Sequence, residues 1–426
     1  MTAQPLHQLA CPDPASFPGM AESNRQLSIE QIDSDAFANL RIEWNDLVAA
    51  SHVNCFFLTW EWLYTWWKHL ADNRDLFAVA IRSNGRLEAV APLVRRRFAI
   101  SHLPRLEFLG SGTAGSDYLD FIIRAGREAE CEHLFQDYLL DCRIPLRLNQ
   151  IRRKDCFVAT FGRAWVKQGW RANDIAINIC PKIDLRGHSW DSYLATLGSE
   201  HRYNFRRKLK NLEKKFSVQF QAAESEQERV DSLRTLIDLH SRRWNQRGGS
   251  DAFFLPEHLA FHDEISALAL QRRWLRLFTL RLDDRPVAAL YGFRYGRIFY
   301  FYQSGFDPDY SNFSVGLITM GLAIKAAIEE GAEEYDLLHG AESYKFHWAH
   351  ESRELGRVDL YPPGSFGLLC NQMDCMMLKA KQVARNVLPG SMWERIVALK
   401  HSAGKGLNAP SSRKNRRLPH ITLGGR

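Results

Sequence analysis

The densest group of reactive side chains lies in the segment YDLLHGAESYKFHW, residues 335–348. Within twelve residues it contains Asp336, His339, Glu342, Tyr344, Lys345 and His347. Side chains of these types can remove a proton from an amine or give one to a departing thiolate. The pattern predicts a strand end followed by a short helix, and strand ends of α/β sheets are where sites are usually built. A solvated turn followed by a surface helix is the structural alternative.

A second candidate precedes it and has the chemistry of an anion site. The strand predicted at 297–306 ends near Gln303 and Ser304, and the polar loop FDPDYSNFS then opens a helix. Unpaired amides at a helix start bind phosphate, and small or polar residues there allow close approach. Those residues are Ser311, Asn312, Ser314 and Gly316. A plain strand-to-helix connection with Ser314 as N-cap is the alternative. Walker-type and GxGxxG motifs are missing, which argues against ATP and dinucleotides.

Two clusters on predicted helices have less specific chemistry. His240, Arg243 and Trp244 are spaced to share one helix face, which could line a pocket or pack into the core. The run 202–215 carries seven Lys or Arg residues and one Glu. It is either a solvated helix face or a contact for a phosphate-bearing ligand or an anionic surface.

Composition excludes several classes of protein. The 426 residues are 45% hydrophobic and 25% charged, as in globular chains. The net charge of +7 belongs to the end of the chain, where residues 394–426 hold eight basic residues and one acidic one. This basic tail is either an inert end or a peripheral contact with anionic membrane. Without a signal peptide or an apolar stretch of membrane-spanning length, a cytoplasmic protein is expected. The cysteine spacing predicts no metal site.

Periodicity defines the elements that must position these residues. An aromatic amphipathic helix is predicted at 57–70, apolar runs around Asn84-Gly85 predict a hairpin, and strands are predicted at GSDYLDFII and at 333–340. A similar hairpin around Asp283-Asp284, about 200 residues later, indicates that two halves repeat one fold. Strands, hairpins and helices alternate, which predicts an α/β fold with a mixed sheet in each half. The remaining predicted helices are 127–142, 201–215, 225–247 ending at Gly248-Gly249, 256–272, 314–331, 342–351 and, within 366–400, one or more others.

In order and spacing, several segments resemble the acetyltransferase branch of the GNAT superfamily associated with bacterial cellulose and exopolysaccharide biosynthesis. That branch is similar in design to the Fem peptidyltransferases. The resemblance runs from about Gln26 to Pro363 and rests on FLTWEWLYTWWKHL, GRLEAVAPL, GSDYLDFII, RYNFRRKLKNLEK, LHSRRWNQRGG, RPVAALYGF, SVGLITMGLAIKAAIEEGAEEYDLL and HGAESYKFHW. It implies tandem GNAT-like (acyl-CoA N-acyltransferase) halves. The expected divisions are a disordered lead-in at 1–26, a first half at 27–187, a second half carrying the site at 188–365, and a helical then basic disordered tail at 366–426.

The resemblance implies an enzyme that moves an acyl group, acetyl by default, from acyl-CoA to an amine. The acceptor would be a small molecule, sugar or lipid in envelope polysaccharide or lipid biosynthesis, and neither metal nor nucleic acid is expected. Tyr344 or Lys345 would lie near the transferred group, while Asp336, Glu342 and His240 would hold or deprotonate the acceptor. The expected CoA contacts are Gln303, Ser304, Ser311, Asn312, Ser314 and Gly316.

Two other functions stay open at this point. One is a Fem-like transferase that uses aminoacyl-tRNA, and the other is a non-catalytic GNAT-fold component of a polysaccharide biosynthesis machine. Binding of acyl-CoA, with release of its thiol when an amine acceptor is present, distinguishes the acyl-CoA-dependent transferase from both of these alternatives. The acyl chain length, the acceptor atom and the oligomeric state are left undetermined by the residues.

Overall fold

Two β-sheets organise the part of the chain that the computed structural model describes. The described residues are 27–97, 104–112, 114–154, 156–245, 253 and 255–387. The predicted lead-in at 1–26, the helix end at Gly248-Gly249 and the basic tail lie outside them, as do the side chains of Arg243 and Trp244.

The described residues form fifteen strands and eleven α-helices. The strands are β1 (Leu27–Ile32), β2 (Arg74–Leu76), β3 (Ala78–Ser83), β4 (Arg86–Ala91), β5 (Leu93–Arg97), β6 (Pro104–Phe108), β7 (Ile122–Ile123), β8 (Leu146–Arg152), β9 (Arg171–Asp184), β10 (Val218–Ala222), β11 (Leu275–Leu282), β12 (Arg285–Tyr295), β13 (Ile298–Phe306), β14 (Glu334–Asp336) and β15 (Glu351–Tyr361). The helices are α1 (Ser34–Asn39), α2 (Arg41–Ala49), α3 (Trp60–Leu70), α4 (Glu128–Cys142), α5 (Phe157–Lys167), α6 (Trp190–Thr196), α7 (Ser199–Lys215), α8 (Glu226–Asn245), α9 (Pro256–Gln271), α10 (Val315–Glu329) and α11 (Ser365–Val387).

Both sheets combine hairpins with longer connections. The smaller sheet has the order β1-β3-β4-β7, and the larger one β10-β11-β12-β13-β14-β9-β15-β8-β6-β5-β2. Two neighbouring pairs are parallel, β6 with β8 and β13 with β14, and α4 and α10 respectively lie between their strands in the chain. Parallel neighbours need such a crossover. Each predicted half therefore contains one crossover unit, and the predicted mixed α/β fold is confirmed, with strands of both halves joined in the larger sheet.

The two predicted hairpins form where the turn residues can take positive φ. Asn84 and Gly85 have φ values of 51° and 80° between β3 and β4, and Asp283 and Asp284 have 48° and 64° between β11 and β12. Two successive positive φ angles match the right-handed twist of the flanking strands, and Asn, Asp and Gly tolerate them best. Local chemistry thus sets the register of both hairpins.

The two faces of the larger sheet carry different helices around β13. Phe299 and Phe301 point into a core shared with α10, whereas Tyr300 and Tyr302 belong to a core shared with α3, α8 and α9. This alternation follows from the two-residue period of a strand. β13 therefore separates an α10 face from an α3–α9 face.

A buried carboxylate links the first half to α9. Glu61 of α3 is fully buried and pairs with Arg41, at 3.0 Å, and with Arg272, at 2.8 Å. The side chain of Asn45 donates to the other carboxylate oxygen over 2.8 Å. Buried charges persist only when they are paired and hydrogen-bonded, so these contacts hold α3 against the end of α9.

Three predicted elements are shorter than expected. The strand predicted at 333–340 is limited to β14, the helix predicted at 342–351 is a 3-10 turn at Lys345–His347, and GSDYLDFII yields only β7. The carboxylate of Asp336 accepts the amide of Leu338 over 2.8 Å, and Leu338 takes a φ of 54°. A side-chain acceptor that captures a nearby amide competes with the sheet ladder, which explains the early end of β14.

The chain divides into two compact units, residues 1–363 and 364–426. The second unit contributes α11 to the described residues. No helix in the described part of either unit combines the length and apolar character needed to cross a membrane.

Candidate functional site

A hollow of about 440 Å³ lies between β12, β13 and the first turns of α10. We call it the α10 cavity. It is lined by Ala288, Ala289, Leu290, Ser304, Gly305, Phe306, Ser311, Ser314, Val315, Gly316, Leu317, Thr319, Met320, Tyr344, His347 and Trp348. Its volume lies within the roughly 300–1,000 Å³ typical of small-molecule sites.

The cavity exists because the parallel strands β13 and β14 diverge. Their parallel pairing covers only Ile298–Tyr300 against Glu334–Asp336, and β13 continues to Phe306. The register with β12 also shifts beside Tyr291, which marks a bulge at the same level. A bulge bends its strand, so it favours the divergence. Ser304 lies beyond Tyr300, the last residue of β13 that pairs with β14, and forms part of the cavity wall.

The start of α10 closes one end of the cavity. A 3-10 turn at Pro308–Phe313 leads into Ser314, whose φ is 55°. The ammonium of Lys208, on α7, donates to the Ser314 hydroxyl over 2.5 Å. A Cβ at Gly316 would lie 3.3 Å from Phe306, so the glycine permits a close approach of the helix to β13. Ammonium, hydroxyl and helix-terminal amides converge here, an arrangement suited to a phosphate.

Aromatic and imidazole rings form another wall. Trp348 is buried, its carbonyl accepts the Tyr193 hydroxyl over 2.8 Å, and the His201 ring lies edge-on to it at 4.6 Å. Burial, and then the neighbouring His347, lower the pKa of His201. Tyr344 borders the same cavity. A phenol here can donate a hydrogen bond to a bound group.

Asp336 faces away from the α10 cavity. Tyr335, the preceding residue, stacks on Phe299 at 4.5 Å in the α10-facing core, so Asp336 points to the opposite face. It accepts hydrogen bonds from the Tyr118 hydroxyl at 2.6 Å and Arg353 at 3.1 Å. Burial raises its pKa to about 6, against the lowering effect of Arg353.

On that same face, His339 pairs with a carboxylate from the first half. Its Nδ1 lies 2.9 Å from Oδ1 of Asp117, and its main-chain amide donates to Oδ2 over 2.9 Å. Asp117 is fully buried, whereas the His339 side chain keeps 36% of its surface exposed. The hydrogen bond to Asp117 raises the pKa of His339, with burial opposing it.

Lys345 and Glu342 hold the connection between these groups. The Lys345 ammonium is buried, donates to the carbonyls of Leu338 and His339 over 3.2 and 2.8 Å, and pairs with Glu342 at 3.0 Å. Glu342 itself is half exposed. These contacts make Lys345 a brace of the loop after β14.

The structure brings some predicted residues together and separates others. Ser304, Ser311, Ser314, Gly316 and Tyr344 share the α10 cavity. Gln303 is part of β13 without lining the cavity, and Asn312 is exposed in the 3-10 turn. The main-chain nitrogen of His240 lies where a Gly305 side chain would be, which places α8 against the far face of β13.

Sequence reasoning gave no role to Asp117, Arg353 or Lys208. The basic run 202–215 did suggest a phosphate contact, but it did not single out Lys208. Asp117 and Arg353 reach the site through long-range contacts with His339 and Asp336. Asp117 is the aspartate of the motif GSDYLDFII, whose three acidic or phenolic side chains were a local signal.

Comparisons with known proteins concern the fold that carries these residues. Residues 199–346 match the family model described as an acetyltransferase (GNAT) domain. A comparison with curated proteins found no match. The crystal structure of FemX superposes with a TM-score of 0.56 at 11% identity, covering 78% of this chain and 96% of FemX.

Weaker structural likenesses include two further proteins. One is the C-terminal domain of a putative lysylphosphatidylglycerol synthetase from Agrobacterium fabrum (TM-score 0.48, 12% identity, 80% of this chain and 97% of that one). The other is a tandem GNAT protein from the clavulanic acid biosynthesis pathway (TM-score 0.42, 10% identity, 80% and 100%). The comparisons do not support the cellulose and exopolysaccharide branch. Residues 199–346 therefore carry the match to a GNAT acetyltransferase domain, within a fold similar to that of FemX.

Proposed function

We propose that the protein is an acyl-CoA-dependent N-acyltransferase whose donor binds in the α10 cavity. The observation that carries this proposal is the contact of Lys208 with Ser314 at the start of α10. Charge-assisted hydrogen bonds and helix-terminal amides are the usual partners of a diphosphate, so the CoA pyrophosphate has a suitable place there. The family match over residues 199–346 supports the same reading.

The pantetheine arm of the donor would run along the end of β13. After Tyr300 this strand extends beyond its pairing with β14, so the main chain on that edge can hydrogen-bond the amides of pantetheine. A peptide N–H of the edge would also polarise the thioester carbonyl. The thioester would then lie at the gap between the two strands.

The reaction itself needs few groups. An amine held about 3–3.5 Å from the thioester carbon attacks it, the N–C bond forms, and the C–S bond breaks with its electron pair left on sulfur. Tyr344, which lines the cavity, would give the thiolate a proton. An amine of envelope polysaccharide or lipid biosynthesis is the acceptor class that the sequence resemblance implies.

Isothermal titration calorimetry with CoA, acetyl-CoA and a long-chain acyl-CoA tests the donor. We expect saturable binding by the wild type and a roughly 10- to 100-fold weaker Kd for Lys208→Met, because hydrogen bonds to charged groups contribute about 1.5–3 kcal/mol. Lys325→Met is the matched control, since this residue pairs with Glu329 further along α10. Failure of the wild type to bind any of the three compounds would refute the proposal, as would unchanged binding by Lys208→Met.

A second candidate, transfer from aminoacyl-tRNA, is favoured by the outer side of α7. This side presents Arg202, Tyr203, Arg206, Arg207 and Lys210 along a shallow groove. Tyr203 is 64% exposed. Basic side chains interleaved with an exposed aromatic ring suit a nucleic-acid backbone. Mobility-shift titration with total tRNA, comparing wild type with Arg206→Glu/Arg207→Glu, tests it; tight, salt-sensitive binding without CoA binding would favour this candidate.

A further inference from the structure

The Asp117–His339 pair lies at the point where β13 and β14 diverge. The last paired residues are Tyr300 and Asp336, and His339 follows three positions after the latter. A Cβ at Gly115 would lie 3.6 Å from Cε1 of His339 and 3.9 Å from the ring of Tyr302. Tyr302 belongs to the α3–α9 face, so His339 lies across the sheet from the α10 cavity.

Among the described residues, the hydrogen bonds of His339 engage Nδ1 and the main-chain amide and leave Nε2 for a ligand. Asp117 accepts from Nδ1 at 2.9 Å and from the main-chain amide at 2.9 Å, which fixes both the ring and its backbone. With the proton on Nδ1, the neutral ring carries its lone pair on Nε2. A buried carboxylate that orients a partly exposed imidazole in this way is the arrangement of a general base.

The Asp117–His339 pair is more exposed than the neighbouring Tyr118–Asp336 pair. Tyr118 and Asp336 also join the two halves, and both are almost completely buried, as a purely structural link requires. The His339 side chain instead keeps 36% of its surface exposed beside a glycine. A structural link has no need of an accessible imidazole, whereas a base must reach its substrate.

Several charged and titratable groups face His339. Asp117 stabilises the protonated ring through its hydrogen bond and charge, Glu342 adds to this effect, and Lys345 opposes it, with the net result that the pKa is raised. The hydroxyl of Tyr302 is engaged by the carbonyl of Ala114. The raised pKa means that the neutral imidazole, the form that accepts a proton, becomes abundant at higher pH than for an ordinary histidine.

We infer that His339 is the catalytic base on the acceptor side of the proposed reaction and that Asp117 is its positioning residue. This inference rests on the proposed function. As the amine attacks the thioester carbon from the α3–α9 face, Nε2 of His339 takes a proton from the amine nitrogen. The N–C bond forms, the C–S bond breaks, and the thiolate is protonated from the α10 face. Donor and acceptor thus approach the gap from opposite sides of the sheet.

The experiment combines turnover with donor binding in full-length protein. Thiol release from acetyl-CoA is measured between pH 5.5 and 9 with water alone and with ethanolamine and glucosamine as amine probes. The variants are His339→Gln, Asp117→Asn and His133→Gln. His133 is an exposed residue of α4 and serves as the control. Calorimetry with acetyl-CoA and circular dichroism report the donor site and the fold of each variant.

The wild type is expected to show a limb of kcat/KM that rises with pH as His339 loses its proton. His339→Gln should lose that limb and about 100-fold or more in kcat, because general bases typically contribute about 10²–10⁴-fold, with Kd for acetyl-CoA unchanged. Asp117→Asn should move the limb to lower pH, because the variant no longer stabilises the imidazolium. His133→Gln should match the wild type.

Two results would overturn the inference while leaving the donor proposal intact. One is a His339→Gln protein that binds acetyl-CoA and retains the wild-type pH profile. The other is a wild type that binds acetyl-CoA but releases no thiol at any pH, either in water alone or with either amine present. A wild type that binds none of CoA, acetyl-CoA and a long-chain acyl-CoA refutes the proposed function itself, and the inference with it. If His339→Gln fails to fold, an unshifted limb in Asp117→Asn overturns the inference.

Discussion

The hydroxyl of Tyr118 donates a 2.6 Å hydrogen bond to Asp336, which lies 218 residues further along the chain. Arg353 approaches the same carboxylate oxygen at 3.1 Å. This contact joins the loop before β7 to the end of β14, directly beside the Asp117–His339 pair. The geometry of the candidate site therefore depends on both halves of the chain.

Removing that hydroxyl should destabilise the protein in a pH-dependent way. In Tyr118→Phe the ionised Asp336 loses a donor, so we expect a loss of about 1–3 kcal/mol in the free energy of unfolding at pH 8. Burial holds the pKa of Asp336 near 6, above its ordinary value of 3.8. The folded state therefore binds more protons than the unfolded state between these values, and stability falls as pH rises through that window.

The loss in Tyr118→Phe should accordingly be smaller at pH 5, where the carboxyl is largely protonated, than at pH 8. Urea unfolding of both proteins at the two pH values measures the difference. Tyr203→Phe, at a side chain 64% exposed, provides the control and should change stability by less than about 0.5 kcal/mol. An equal loss at both pH values would contradict the assignment of the effect to Asp336.

His262 should make the protein acid-sensitive. It is 2% exposed among aromatic rings, and within the described residues its Nδ1 has no hydrogen-bond partner. Burial lowers its pKa from 6.5 to about 3. Between those values the unfolded chain binds a proton that the folded chain does not, so stability is lost as pH falls. The expected loss is about 2 kcal/mol between pH 7.5 and pH 5.

His262→Phe should remove this part of the pH dependence, because the substitution places an apolar ring among Phe253, Phe261 and Tyr291. The quantity to compare is the change in unfolding free energy from pH 7.5 to pH 5 in each protein. His133→Phe, at an exposed position, should retain the wild-type dependence. Identical slopes in wild type and His262→Phe would show that His262 is not the group responsible.

Local chemistry made much of the fold predictable. Asn84-Gly85 and Asp283-Asp284 identified both hairpins, because few residue pairs tolerate two positive φ angles in succession. The anion site at the start of α10 was predictable because the helix start and its small or polar residues are close together in the sequence. Ser311, Ser314 and Gly316 all border the cavity. The assignment of CoA to them remains a prediction.

The acceptor side was not predictable in the same way. Asp117 and His339 lie 222 residues apart, and nothing in either local sequence specifies the other as its partner. Lys345 shows the converse problem, because its type and position suggested chemistry, whereas its ammonium contacts the carbonyls of Leu338 and His339. Contacts between the predicted halves arise because strands of both hydrogen-bond into one eleven-stranded sheet, a pairing that a single sequence does not reveal.

Gly321 controls the distance between α7 and α10. A Cβ at this position would collide with the ring of Phe205, so Gly321→Ala must move the helices apart. Since Lys208 reaches Ser314 from α7, we expect both a loss of about 1–3 kcal/mol in stability and weaker binding of acetyl-CoA. Gly198→Ala, just before α7, has open space and should preserve both. Calorimetry and urea unfolding measure the two effects, and unaltered CoA affinity in a destabilised Gly321→Ala protein would separate α7 from the donor site.

Tyr344 and Lys345 are adjacent, but substitutions at them should have different effects, on turnover for Tyr344 and on stability for Lys345. Lys345→Met removes a buried ammonium from two carbonyls and from Glu342, so the loop after β14 should lose about 2–3 kcal/mol of stability. Tyr344→Phe keeps the ring in the wall of the α10 cavity and removes only the hydroxyl. It should cost less stability than Lys345→Met and slow thiol release roughly 10- to 100-fold.

Urea unfolding and thiol release from acetyl-CoA, measured on both variants, separate the two roles. A Lys345→Met protein of wild-type stability that has lost turnover would make Lys345 a catalytic group rather than a brace. A Tyr344→Phe protein with wild-type turnover would leave protonation of the thiolate to water. In that case the α10 cavity would supply binding alone, and the catalytic groups would lie on the α3–α9 face with His339.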